Sequence, residues 1–96
     1  MNCGHIISMV ITVHIPLVHS LKEKRRYIKS LKDKIRQQFN ASVAEIDGLD
    51  EWQNSVLGIV MISNERIYLE KQIAAIETLV LQVHDIQVTD IKAEWL

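Results

Sequence analysis

Residues 5–15 alternate between apolar and mixed positions. Ile7, Met9, Ile11, Val13 and Ile15 share one parity, and Ile6, Ser8, Val10, Thr12 and His14 the other. A period of two gives a strand with one oily face. Pro16 cannot donate to a ladder and ends it. Ser20, with Glu23 three residues on, has the form of a capping box, so a helix is predicted from about Leu21. Its apolar stripe is Leu21, Ile28, Leu31, Ile35 and Phe39, and Asn40 suits its C-terminal end.

Residues 42–47 read as a short strand, 48–51 as a loop and 55–62 as a strand rich in Val and Ile, together a hairpin. Ser63 or Asn64 can cap a second helix with the stripe Leu69, Ile73, Ile76, Val80 and Val83, and residues 86–95 return as a last strand. In that strand Ile86 and Val88 share one parity while Ile91, Ala93 and Trp95 share the other. This predicts a bulge near Thr89 or Asp90. The order is β-α-β-β-α-β. With two right-handed crossovers it predicts an α+β two-layer sandwich of the ferredoxin-like kind, a four-stranded antiparallel sheet with both helices on one face.

Ninety-six residues make one domain, 1–96, without an internal boundary. One Pro, three Gly and 48% apolar residues argue against a linker or a disordered tail. The longest apolar runs are broken by Ser8, Thr12 and His14 or by Ser63, too short to span a bilayer, and the N-terminus lacks the basic start and apolar centre of a signal peptide. The expected setting is therefore cytoplasmic, away from membranes. The single cysteine, Cys3, has no internal disulfide partner. A catalytic thiol would need a positioned base, which His5 two residues away does not supply.

Charge changes the picture more than composition does. Eight of the eleven Lys and Arg residues lie within 22–36. That segment carries eight positive and two negative residues, net +6, and the remainder three positive and ten negative, net −7. A cationic face on an otherwise anionic domain admits polyanions at one place only. Lys22, Arg25, Lys29, Lys32 and Arg36 recur at intervals of three and four, so they form a ridge along the helix, with Arg26 and Lys24 beside it. The centre of the ridge lies roughly 80° around the axis from that of the apolar stripe, on a flank that borders a seam. The plain alternative is a solvated face of good helix formers. Against it, Glu23 and Asp33 are too few to pair these cations. The missing counter-charge is RNA phosphate, or acids such as Asp47, Asp50 and Glu51 from another subunit.

With helices on one face of the sheet, Ile6 and Val10 point outward beside apolar residues of the 55–62 strand. An oily patch of that kind invites dimerisation. Trp52 and Gln53, after an acidic loop, are candidates for the same interface. A Trp at a loop edge is otherwise commonly part-buried against its own domain.

Other sites on this fold find little support. RNA-recognition domains stack bases on aromatics of the central strands, and neither central strand here has one. Acylphosphatases need an Arg in a phosphate-cradling loop before the first helix, and residues 16–20 contain neither Arg nor Gly. His5, His14, His19 and His84 lack the spacing of metal ligands. No metal, no cofactor and no catalytic constellation is implied.

From Ser20-Leu21-Lys22-Glu23-Lys24-Arg25-Arg26 onward the chain resembles the YlxP-like family, small bacterial proteins classed as a domain of unknown function. Phe39-Asn40-Ala41-Ser42-Val43-Ala44-Glu45, Trp52-Gln53, Leu57-Gly58 and Ser63-Asn64 carry the likeness on, in that family's order and spacing. The resemblance implies a ferredoxin-like fold and a gene setting beside translation initiation and ribosome maturation. Leu17-Val18-His19 stands where a small or Gly-containing turn is usual, so a differently shaped first loop is expected.

The expectation is a non-enzymatic cytoplasmic protein, a homodimer, that associates with RNA or ribosomal particles. Lys22, Arg25, Arg26, Lys29, Lys32 and Arg36 would contact phosphate, and Ile6, Val10, Trp52 and Gln53 would form an interface. The alternatives are an oligomeric interaction module whose basic helix docks on acidic protein, and a small-ligand regulatory domain, which the fold permits and no particular residue supports.

Overall fold

The computed structural model describes residues 4–96, so Cys3 and the reading made of it lie outside the described residues. Six elements follow in the expected order: β1 (His5–His14), α1 (Leu21–Gln38), β2 (Ser42–Asp47), β3 (Asn54–Ser63), α2 (Arg66–Leu81) and β4 (Gln87–Trp95). The strands form one sheet in the order β2-β3-β1-β4, with every pairing antiparallel. Both helices lie on one face, and the fold is the ferredoxin-like α+β sandwich.

The core lies between sheet and helices because the apolar parity of each strand faces the apolar stripe of a helix. Ile7, Met9, Ile11 and Val13 of β1 and Leu57, Ile59 and Met61 of β3 meet Ile28, Leu31 and Ile35 of α1 and Leu69, Ile76 and Val80 of α2. Each such side chain contributes roughly 1.5–3 kcal/mol of transfer free energy on burial. Leu21, Phe39, Ile73 and Val83, read as part of the two stripes, are only half-buried. No helix among the described residues is long and apolar enough to cross a membrane.

The bulge in β4 falls where the parity switch placed it. Thr12 pairs with Asp90 and Val13 with Val88, which leaves Thr89 as the extra residue. Its hydroxyl donates to the Thr12 carbonyl at 3.2 Å. A second irregularity, in β2 between Glu45 and Asp47, leaves Ile46 unpaired. The start of α2 differs from expectation. Its N-cap is Glu65, without a side-chain capping bond, because Ser63 is still the last residue of β3. The Ser63 hydroxyl instead accepts from the Glu65 N–H at 3.1 Å, holding the turn before the helix.

Candidate nucleic-acid interface on the first helix

The start of α1 sets the angular phase of every charge on it. Ser20 is the N-cap, and its Oγ accepts from the Glu23 N–H at 3.1 Å. The Glu23 carboxylate reaches back to the N–H of His19, at 3.3 Å, one residue earlier than in a standard capping box. With the helix so phased, Lys24, Ile28, Leu31 and Ile35 turn inward. Lys22, Arg25, Arg26, Lys29, Lys34 and Arg36 are exposed, and Lys32 is half-buried.

Lys24, read as a secondary phosphate contact, is instead a core residue. Its side chain is fully buried, with Nζ 2.6 Å from Glu45 Oε2 and 2.5 Å from the Gly48 carbonyl. The Ser55 hydroxyl, also buried, donates to the same Glu45 oxygen at 2.6 Å. Gly48 presents its carbonyl to Lys24 from a left-handed turn at φ +75°, where a Cβ would come 3.0 Å from the Asn54 carbonyl oxygen. The ammonium thus ties α1 to β2 and to the β2–β3 loop directly, and to β3 through Glu45 and Ser55, and is lost to any outside ligand. Lysine adjoins serine here, but the serine proton is committed to Glu45 and both groups are sealed from solvent, so a substrate cannot reach them.

Arg36 is also partly engaged, since its guanidinium donates to the Val43 carbonyl of β2 at 2.6 Å. The ridge therefore borders the seam between α1 and the edge strand β2. Lys34 faces the other way and lines an open cleft of about 440 Å³ against α2. Lys29 pairs with Asp33 at 3.1 Å, but both side chains are well exposed, at 77% and 41%, and such a pair is worth little. Lys22, Arg25, Arg26, Lys32 and Lys34 have no side-chain hydrogen bond or ion pair among the described residues. Among the described residues five of the eight cations on α1 thus have no side-chain partner, and Arg36 has a carbonyl but no counter-charge.

The expected interface residues fall in two places. Ile6 and Val10 lie half-buried on the sheet face away from the helices. Trp52 stands in the β2–β3 loop at 54% exposure, more open than a Trp packed on its own domain. Gln53 has partners within the chain. Its amide donates to the carbonyls of Pro16 and Val18 at 3.1 and 3.2 Å, and its own carbonyl accepts from the Ile15 N–H at 2.7 Å. It clamps the β1–α1 loop, with its amide N–H groups engaged within the chain. No group of three or more His, Cys, Asp or Glu that could hold a metal occurs among the described residues.

Sequence reasoning missed the Lys24–Glu45–Ser55 network, yet the signal was present. The inward positions of α1 step 24, 28, 31, 35, and the apolar stripe leaves a gap at 24 filled by a lysine. Glu45 shares its parity with the buried Val43, so an acid faces inward opposite that gap.

The profile of a family described as protein of unknown function (DUF503) matches residues 6–93. The chain is 33% identical over 76 residues to the uncharacterized protein YlxP of Bacillus subtilis (strain 168), covering 79% of this chain and 83% of that one. Among solved structures it resembles the de novo designed protein Foldit4, with a TM-score of 0.56 and 11% identity over 94% of this chain and 96% of the other. That likeness is one of fold alone.

Proposed function

The chain belongs to the DUF503 family of proteins of unknown function, and on that footing we propose that it is a non-enzymatic cytoplasmic protein that associates, as a homodimer, with RNA or ribosomal particles through α1. One observation carries the reading. Lys22, Arg25, Arg26, Lys32 and Lys34 stand along a single helix without intramolecular counter-charge, in a chain that is acidic elsewhere. Phosphates satisfy guanidinium and ammonium groups with charge-assisted hydrogen bonds. The outward positions of β1 and β3 carry no Phe, Tyr or Trp on which bases could stack. Contact is then with the backbone, electrostatic and weakly selective for sequence. The translation-linked gene setting implied by the family resemblance points to ribosomal RNA as the first ligand to try.

The test is binding of the purified chain to ribosomal RNA fragments at two salt concentrations. Five phosphate contacts, from Lys22, Arg25, Arg26, Lys29 and Lys32, give a log–log salt slope of about −4, so a fourfold rise in salt should weaken binding roughly 250-fold. The Arg25→Glu/Arg26→Glu variant should lose most of the affinity while keeping its fold. Affinity that ignores salt, or that survives this double reversal, overturns the proposal. Reversals that change the oligomer and leave RNA binding absent throughout would show that the helix docks on acidic protein.

A further inference from the structure

The sheet face turned away from the helices is laid out in rows by the strand pairing. Ser42, Val60, Ser8 and Glu94 lie side by side across β2, β3, β1 and β4, and the next row on that face is Ala44, Gly58, Val10 and Lys92. Between them runs the row Val43, Ile59, Met9 and Ala93, which belongs to the covered face. Beyond the first row Ile6 pairs with Ile62. Val60 is 43% exposed and Ile62 59%.

This face has relief as well as oil. Gly58, lacking a side chain, floors a hollow of about 290 Å³ bounded by Ser8, Val10, Ala44, Ile46 and Val60. Ile46, the unpaired residue of β2, leans over it, and a Cβ on Gly58 would stand 3.0 Å from Ile46 Cγ2. One row away Val60 rises as a knob. Outward charge lies on the two edge strands: Asp47 of β2 pairs with Val56 on this face, and on β4 Lys92 lies between Asp90 and Glu94 in the sequence of outward positions and is loosely paired with Asp90 at 3.9 Å.

We infer that this face docks a second copy of the chain, about a two-fold axis that runs across the strands over the Val43, Ile59, Met9 and Ala93 row. That axis exchanges the two outer rows. It sets Val60 over the partner's Gly58 hollow, Ser8 opposite the partner's Val10, and Lys92 opposite the partner's Glu94, each contact made twice as an isologous interface requires. Moving the axis one residue either way sets Lys92 on the partner's Lys92 or Glu94 on the partner's Glu94. Size and charge therefore select the same register. Strand spacing and rise give the face on the order of 600 Å² in projection, and its corrugated accessible surface, which is larger, approaches the roughly 800 Å² per partner of a standard interface. Aligned packing of two sheets is a common mode of face-to-face association. Nucleic acid suits the face poorly, since it presents no Phe, Tyr or Trp and a lysine with acids on either side.

The inference names the surface for the self-association proposed above and rests on that reading only for the existence of a dimer. The RNA-binding helix lies on the other side of the sheet, so the two fail separately. Sedimentation equilibrium of the full chain from micromolar to submillimolar concentration should give twice the mass of one chain. Val60→Glu should be a monomer with the far-UV dichroism and RNA affinity of the parent. Lys92→Glu opposes like charges at two symmetry-related places and should weaken association at least about tenfold; adding Glu94→Lys exchanges the pair and should restore it. These exposed edge positions test the register even if Val60→Glu fails to fold. A parent chain that stays monomeric throughout, or a Lys92→Glu/Glu94→Lys double variant that associates no better than Lys92→Glu, overturns the inference.

Discussion

Replacing Lys24 by Met should destabilise the fold more than any other change on the polar positions of α1. The methionine retains much of the apolar stem, so packing is largely kept and the loss is electrostatic. It leaves the Glu45 carboxylate, 15% exposed, with Ser55 as its remaining side-chain partner and takes the ammonium donor from the Gly48 carbonyl. Removing one side of a buried pair costs about 3–5 kcal/mol. The partial hydration open to Glu45 places this case near the lower end, about 3 kcal/mol. In a domain of this size 1 kcal/mol moves Tm by about 4–8 °C, so a fall of roughly 12–24 °C is expected in a thermal melt followed by circular dichroism. The double variant Lys24→Met/Glu45→Leu leaves no orphaned charge and should recover most of the loss, short by about 1 kcal/mol for the Ser55 hydroxyl deprived of its acceptor. At a temperature where Lys24→Met is folded, its RNA affinity should equal the parent's, because a buried ammonium touches no phosphate. A Lys24→Met variant melting within about 5 °C of the parent, or a double variant less stable than both singles, refutes the reasoning.

Two further changes probe how α1 is placed. Ser20→Ala removes the oxygen that accepts the Glu23 N–H and should cost about 1 kcal/mol in urea denaturation; a change below about 0.3 kcal/mol would show that the turn at His19 and Glu23 holds the helix start alone. Gln53→Ala deletes both amide bonds to the Pro16 and Val18 carbonyls. It should cost about 1–2 kcal/mol and speed backbone amide exchange in the β1–α1 loop while leaving the centre of β1 protected. Unaltered exchange there would mean that the loop is held by its own packing.

The periodic parts of this fold were legible from residue order because burial on one side imposes a period. The parity of Ile7 to Ile15 fixed which face of β1 is covered, and the parity switch between Val88 and Ile91 located the Thr89 bulge without any knowledge of the pairing. Two things resisted the same logic. The register slip at Ile46 leaves no trace in parity, since Val43, Glu45 and Asp47 still alternate. Lys24 was assigned to solvent by its chemical type, although its place in the stripe put it in the core; a charge is buried only when another element brings a counter-charge, and Glu45 lies 21 positions along the chain. The ridge itself was read correctly in position and only in part as to its free charge, because backbone acceptors such as the Val43 carbonyl are invisible to a count of acids. The clamp made by Gln53 went unread for a similar reason, as its partners are carbonyls of a loop far away in sequence.

The reach of Arg36 to the Val43 carbonyl has a consequence for how the protein survives at high concentration. β2 is an outermost strand, and such a strand can template stray polypeptide into a growing ribbon. A guanidinium bound to its main chain takes up one acceptor and stations a bulky cation beside the row where a newcomer would align. The same side chain that lends potential to the ridge also acts as a gatekeeper against runaway sheet extension.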